Sequence, residues 1–368
     1  MTDKKYPGLY IHVPFCAGKC PYCDFYSINR NRDLINKYTE KVISDLKKCD
    51  SEFDTVYFGG GTPSALPPEN ISSIIGNVNF IQGAEITVEC NPSDTGGKDS
   101  DYDFSILSKS GVNRISLGLQ SAVESERKAL GRKAGTDEVK RAIDRIFKSG
   151  IDNISLDLML GIPGQTAESL NKSVDFCIDS GAKQISAYML KIEENTFFGK
   201  HREKYDFPSD DLSADFYLLA SEKLKQSGFS HYEISNFALP GYESRHNLKY
   251  WKLEEYLGIG PSAHSFIGGK RFFYPPDLHY YLSGAKPTED GPGGNAEEYI
   301  MLSLRINDGM DLSVLKNKYK ITSVGNISDK CAEFSSMGYG FFNNNIFSLN
   351  EKGFLISNYI INEICSLL

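Results

Sequence analysis

No apolar run in this 368-residue chain approaches the ~18 residues that a membrane-spanning helix needs. The fifteen residues before the first cysteine do not form the clean apolar stretch of a secretory leader either, being broken by His12 and Pro14. A cytoplasmic protein is therefore expected. Excess positive charge is also missing: 40 Lys and Arg face 48 Asp and Glu, a net charge of −8. That balance argues against broad attraction to nucleic acid or anionic lipid and leaves room only for a local basic patch. There is no low-complexity tract and no short-period repeat. With 40% hydrophobic and 24% charged residues the composition is that of a globular chain, not of a disordered or collagen-like one. The length suits one large domain and a smaller one.

What is present, and unevenly so, is cysteine. Of eight, Cys16, Cys20 and Cys23 cluster, while Cys49, Cys90, Cys177, Cys331 and Cys365 are scattered and read as small buried apolar residues. In a reducing compartment a cluster of thiols points to metal rather than to disulfides. Cys16-Ala-Gly-Lys-Cys20-Pro-Tyr-Cys23 has C-x3-C-x2-C spacing. Three soft thiolates on one loop can grip iron–sulfur or zinc. A structural zinc site wants four closed ligands, and no second cysteine pair lies nearby. Three cysteines point instead to a four-iron cluster with one iron left open.

The first two thirds of the chain alternate β-rich runs (9–14, 55–58, 85–89, 114–119, 154–160 and 184–190) with amphipathic segments such as 34–48, 137–149 and 167–180. Gly111, Gly150 and Gly181 follow such segments as helix stops. This pattern predicts an α/β fold, a parallel sheet with crossover helices. Six units rather than eight predict an incomplete TIM-like (β/α)6 barrel; a closed barrel requires two more units hidden between 210 and 270. Polar or glycine-rich residues follow each strand, where such folds place their chemistry. Three regions are expected: a core barrel over 1–205, an extension over 206–285, and a small α-rich domain of winged-helix type over 286–368. Residues 210–227 read as a helix, the stretch after them as irregular, and 287–295 as a linker. Helices are expected at 296–306, 312–318 and the C-terminus, with a β-like pair near 340–349.

The cysteine loop, with Tyr22 before its last thiol, resembles that of the radical S-adenosylmethionine (SAM) superfamily. There the open iron is chelated by the amino and carboxylate groups of SAM, and reductive cleavage can release a 5′-deoxyadenosyl radical. Six stretches narrow the resemblance: Tyr10-Ile-His-Val-Pro-Phe-Cys16, Cys23-Asp-Phe25, Phe58-Gly-Gly-Gly-Thr-Pro63, Glu89-Cys-Asn-Pro92, Ser116-Leu-Gly-Leu-Gln-Ser121 and Asp157-Leu-Met-Leu-Gly-Ile-Pro163. They are similar to the coproporphyrinogen dehydrogenase family, which includes oxygen-independent coproporphyrinogen III oxidases and haem chaperones. The likeness runs on to Glu351-Lys-Gly-Phe354.

The resemblance implies a [4Fe-4S] cluster on Cys16, Cys20 and Cys23, and SAM against Tyr10, Tyr22, Gly60, Gly61, Thr62, Glu89, Gln120, Arg132 and Asp157. Glycines permit close backbone approach, strand-end acceptors suit an ammonium and ribose hydroxyls, and Arg132 suits a carboxylate. An electron donor to the cluster is implied as well. Oxidases carry a further cysteine where this chain has Phe25, and a longer N-terminal extension; both departures favour the chaperone branch. His246-Asn247-Leu-Lys-Tyr250-Trp251 agrees, matching a motif associated with haem binding there. An imidazole is a good axial ligand, Tyr250 and the chain's single tryptophan offer flat apolar faces, and Arg245 and Lys249 suit propionates. A core histidine packed by aromatics is the competing reading of His246. His231 and His264 are weaker ligand candidates.

The expectation is thus a haem chaperone delivering haem to apo-haemoproteins, respiratory ones at the inner face of the membrane above all, with peripheral membrane association and a homodimer left open. The alternatives are radical decarboxylation of coproporphyrinogen III propionates and a radical methyltransferase.

Overall fold

The computed structural model describes residues 5–368. Six strands lie side by side in chain order, each parallel to the next: β1 Gly8–Val13, β2 Phe53–Gly60, β3 Phe80–Cys90, β4 Arg114–Gln120, β5 Asn153–Leu160 and β6 Gln184–Met189. The connections carry α1 Arg32–Leu46, α2 Pro68–Ile75, α3 Phe104–Lys109, α4 Thr136–Lys148 and α5 Ala167–Asp179. In α4 the buried set is Val139, Ala142, Ile143 and Ile146, the i, i+3, i+4, i+7 stripe that seats a helix on a sheet. Gly111, Gly150 and Gly181 all take positive φ just past a helix end, where a side chain would be strained. Helix 68–75 and helix 104–109 fall between the sequence signals; both are too short to show a full amphipathic period.

All seven residues of β4 are buried, yet they alternate sharply in character. Ile115, Leu117 and Leu119 belong to the apolar core, while Arg114, Ser116, Gly118 and Gln120 line an internal cavity. β6 repeats the division, with Ile185 and Ala187 in the core against Gln184, Ser186 and Tyr188 on the cavity. An ordinary parallel barrel fills its interior with branched apolar side chains. This one is lined with polar groups and stays hollow.

The sheet continues beyond the sixth strand. After α6 (Asp210–Gln226) come β7 Ser230–Glu233, β8 Asn236–Ala238, α7 Arg245–Trp251, β9 Tyr256–Ile259, β10 His264–Ile267, β11 Lys270–Phe273 and β12 Thr288–Pro292. The twelve strands run in the order β12-β11-β10-β9-β1-β2-β3-β4-β5-β6-β8-β7, with β9 parallel to β1. Among the described residues β7 and β12 do not pair with one another, so the barrel is incomplete and no two further βα units close it. Two expectations need correction. The stretch after α6 is not irregular; its strands are three to five residues long, too short for alternation to register. Residues 288–292 form no linker but an edge strand on β11, where a polar sequence ending in proline is tolerated.

The C-terminal part holds helices Ala296–Ser303, Leu312–Asn317 and Val324–Ser336. With them is a three-stranded sheet, β13 Met310–Asp311, β14 Gly340–Asn343 and β15 Ile346–Leu349, in the order β13-β15-β14. Helices Glu351–Leu355 and Ser357–Cys365 end the chain. Its apolar core is continuous with that of the barrel; Phe354, for example, meets the ring of His231 edge-on at 5.2 Å. Among the described residues no helix is long and apolar enough to cross a membrane.

Candidate functional site

The cavity inside the barrel measures about 480 Å³, within the usual ~300–1,000 Å³ of small-molecule sites. Cys16, Cys20 and Cys23 stand on its wall, half-buried and unoxidised. Their loop is held from three sides. Phe15–Cys16 pairs with Ile28–Asn29, the Cys23 amide donates to the Cys20 carbonyl at 3.1 Å, and the Phe198 amide donates to the Pro21 carbonyl at 2.9 Å. Gly131 leaves room for the Pro21 ring, which a Cβ there would meet at 2.8 Å. Among the described residues no three His, Cys, Asp or Glu side chains converge on one point as a mononuclear site requires. The donor set, three soft thiols spread along a cavity wall, fits a multinuclear iron–sulfur cluster better than zinc.

The other residues expected of the site converge on the same space, with two exceptions. Gly60, Gly61 and Thr62 follow β2, and Thr62 Oγ1 lies 3.3 Å from Cys16 Sγ. Gly60 has φ +110, and a Cβ on it would lie 2.7 Å from the His12 ring, so glycine is required there. Glu89 accepts from Tyr57 Oη at 2.8 Å and from the Gly60 amide, and burial pushes its carboxyl up to about 7. Asp157 accepts from Ser116 Oγ at 3.2 Å; burial pushes it up to about 6 against the pull of Arg132. Arg132 donates to the Gly118 carbonyl at 2.8 Å and to Asn91 Oδ1 at 3.3 Å. Burial opposes its charge, but Tyr22 and Cys20 beside it more than offset that. Gln120 reaches the cavity from a left-handed backbone, φ 67, at a break in register between β4 and β5. Such strain in a non-glycine residue costs roughly 1–3 kcal/mol and clusters at functional sites.

Tyr10 is the first exception. It is absent from the cavity lining; its ring stacks on Tyr57 and its hydroxyl meets His12 Nδ1 at 3.2 Å. His246 is the second, and the structure does not present it as an iron ligand. The side chain is fully buried, with Nδ1 2.8 Å from Thr55 Oγ1 and Nε2 2.7 Å from Tyr250 Oη. Its ring stacks on Tyr57 at 5.2 Å, and burial lowers its pKa to about 3, so it is a neutral core imidazole with both nitrogens engaged. Lys249 and Arg245 are no freer to meet propionates. Lys249 is buried against Asp54 at 2.9 Å and Glu254 at 3.1 Å, and Arg245 donates to the carbonyls of Gly83 and Asp54. Trp251 donates to the buried Glu233. The whole motif is a plug at the N-terminal end of the barrel strands, and only Asn247 and Ser244 from this stretch face the cavity. His231 is buried and stacked on Phe237 at 4.1 Å; His264 is exposed and stacked on Phe273 at 5.2 Å.

Sequence reasoning missed Tyr57, Ser116, Ser186 and Tyr188 on the wall. The signal was available in the period-two polar residues of otherwise apolar strands, Arg114, Ser116 and Gln120 on β4 and Gln184, Ser186 and Tyr188 on β6.

An open parallel barrel with three thiols beside buried strand-end acids defines the radical SAM class, and residues 10–177 match the family model of the Radical SAM superfamily. The fold is also that of a solved structure, the coproporphyrinogen III oxidase HemN of Escherichia coli. Its TM-score is 0.82 at 20% identity, over 99% of this chain and 91% of that one. Proteins named heme chaperone HemW are similar along most or nearly all of the chain. The one from Lactococcus lactis is 32% identical, covering 97% of this chain and 96% of its own, and that of Bacillus subtilis is 31% identical, covering 96% and 97%. The Escherichia coli protein of that name is 37% identical over 71% of this chain and 70% of its own. The chain belongs to the HemW family.

Proposed function

We propose that this protein is a haem chaperone that holds a [4Fe-4S] cluster and SAM in its barrel and passes haem to apo-haemoproteins. The observation that carries the reading is the end-to-end similarity to proteins named heme chaperone HemW, at 32% identity over 97% of the chain. Eight free cysteines favour a reducing, cytoplasmic setting. Respiratory apo-proteins at the inner face of the membrane are the proposed acceptors, and a cytoplasmic reductase is the proposed electron source.

Cys16, Cys20 and Cys23 would hold the cluster, which when bound supplies a low-potential electron and one iron open to a chelating ligand. Around it the chain provides the rest. Arg132, a buried cationic group on the cavity wall beside Cys20, suits the carboxylate of SAM. Glu89 suits its ammonium, Gly60 and Gly61 allow the methionine end to approach the backbone, and Gln120 and Asp157 offer acceptors to ribose hydroxyls. His246 is buried in this arrangement, with both ring nitrogens hydrogen-bonded.

The test is anaerobic reconstitution followed by titration with haem, read in the Soret band, and transfer to an apo-haemoprotein such as apomyoglobin. Uptake and release of haem support the proposal. Failure to retain haem, together with SAM-dependent loss of coproporphyrinogen III, would make the protein an oxidase instead.

Glu89 gives this site a pH signature. With its carboxyl near 7 it is largely protonated below neutrality, and it must lose that proton to pair with an ammonium. SAM affinity is therefore expected to fall as pH drops from 7 toward 5, with proton release near pH 7 visible by calorimetry in buffers of different ionisation enthalpy. Glu89→Gln should abolish the release and weaken binding about 10- to 100-fold, the loss of a charge-assisted hydrogen bond. Unchanged proton release in that variant would place the ammonium elsewhere.

A further inference from the structure

The haem-carrier reading leaves the haem without a ligand once His246 is sealed in the core. His12 and His231 are sealed too. His12 has its ring nitrogens against Tyr10 Oη at 3.2 Å and the Tyr26 carbonyl at 3.1 Å, and His231 is buried between Phe237 and Phe354. His201, His264 and His279 remain in reach of solvent.

His201 is set up differently from the other two. It closes the short helix Phe197–Lys200, and its Nδ1 lies 3.1 Å from the Phe197 carbonyl. A carbonyl can only accept, so the neutral ring carries its proton on Nδ1 and its Nε2 lone pair is left for a metal. A backbone carbonyl on the far nitrogen is the arrangement that orients metal-binding histidines in general. The imidazole lies flat on the Phe197 ring, centroids 4.3 Å apart and planes 14° apart, and Phe197 is 52% exposed. This stack holds the plane of the imidazole in place. Lys200 and Lys204 are exposed within three residues of His201, cations for anionic substituents at the rim of a haem, while Arg202 lies over the Phe207 ring at 5.7 Å and Glu203 stands between them.

The platform is also tied to the cysteine loop. Phe198 is buried with Leu130, Met159 and Ile162 in a small apolar cluster against which Tyr22 packs, and its amide holds the Pro21 carbonyl between Cys20 and Cys23. The connection from β6 to this platform starts on the cavity wall at Leu190 and Lys191.

From this juxtaposition, and resting on the haem-carrier reading, we infer that His201 is the iron ligand of the carried haem. Nε2 forms the axial bond to iron, displacing the water or other weak ligand of free haem, with no change in oxidation state. Phe197 backs the imidazole, and the flanking cations meet the propionates.

The experiment is titration of the full-length, cluster-loaded protein with ferric haem, read by Soret absorbance and by resonance Raman markers of histidine ligation. His201→Ala is expected to weaken binding at least about tenfold and remove the histidine signature, and added free imidazole is expected to restore that signature. His264→Ala should bind as the parent does. If the parent binds haem and His201→Ala keeps the same affinity and spectrum, the haem is ligated elsewhere and the inference fails while the carrier reading stands. If the parent takes up no haem, the carrier reading itself fails and the inference with it. Because His201 is partly exposed, the variant should fold; His201→Gln with imidazole rescue supplies a second, independent arm.

Discussion

Replacing Cys20 with alanine is expected to yield a folded, colourless protein after anaerobic reconstitution with iron and sulfide. A four-iron cluster held by three thiolates has one open corner, and removing a second anchor leaves two. Substitution at this position spares the fold for a specific reason. What fixes the loop is backbone: the Cys23 amide to the Cys20 carbonyl, the Phe198 amide to the Pro21 carbonyl and the Phe15–Cys16 pairing with Ile28–Asn29. None of these uses the sulfur of Cys20. Cys177→Ala is the informative contrast. Cys177 lies fully buried on α5, and its loss should cost about 1–3 kcal/mol of stability while leaving the brown absorbance intact. Iron analysis and the visible spectrum separate the two cases. A Cys20→Ala protein with undiminished iron and colour would mean that the cluster is anchored by other thiols.

The parallel core was legible because its signals are redundant. Strands 114–119 and 154–160 were bounded by turns and helices, and the observed strands Arg114–Gln120 and Asn153–Leu160 differ by one residue at one end. Helix stops at Gly111, Gly150 and Gly181 need positive φ, a demand written into the residue type. The antiparallel additions were illegible for the opposite reason. β8 is three residues long and β12 reads Thr-Glu-Asp-Gly-Pro, so neither carries a pattern of its own, and both exist because an open sheet edge offers them partners. In the site, the thiols and the strand-end acids announce themselves by chemistry and position. His246 was ambiguous because a histidine beside aromatics has the same sequence signature whether it faces a porphyrin or packs beneath Tyr57. Burial separates the two cases, and burial here is decided by α7 folding back onto the starts of β2 and β3, where Glu85 accepts both the Arg245 and the His246 amides.

His246→Ala is accordingly expected to act on stability first. Removing the imidazole strands Thr55 Oγ1 and Tyr250 Oη in the core and opens a void beneath Tyr57, a loss of about 3 kcal/mol at neutral pH. The pH dependence identifies the cause. His246 has its folded pKa depressed to about 3 from an ordinary 6.5, so between those values the unfolded chain binds a proton that the folded protein refuses. Its contribution to stability is thus fully present above pH 6.5 and declines as pH falls. Glu89 and Glu233, pushed up to about 7 by burial, work in the opposite sense, because the folded protein holds protons there that the unfolded chain releases. Those terms are common to parent and variant and cancel in the difference. The destabilisation by His246→Ala should therefore shrink by about 2 kcal/mol between pH 6.5 and pH 5, since the parent alone bears the cost of keeping this imidazole neutral. Urea unfolding of both proteins across that range measures it. A surface ligand would behave otherwise: removing it would cost little stability at any pH and would change the haem spectrum at once. A small, pH-independent loss of stability with loss of the histidine-ligated spectrum would return His246 to the haem and open the floor of the barrel to it.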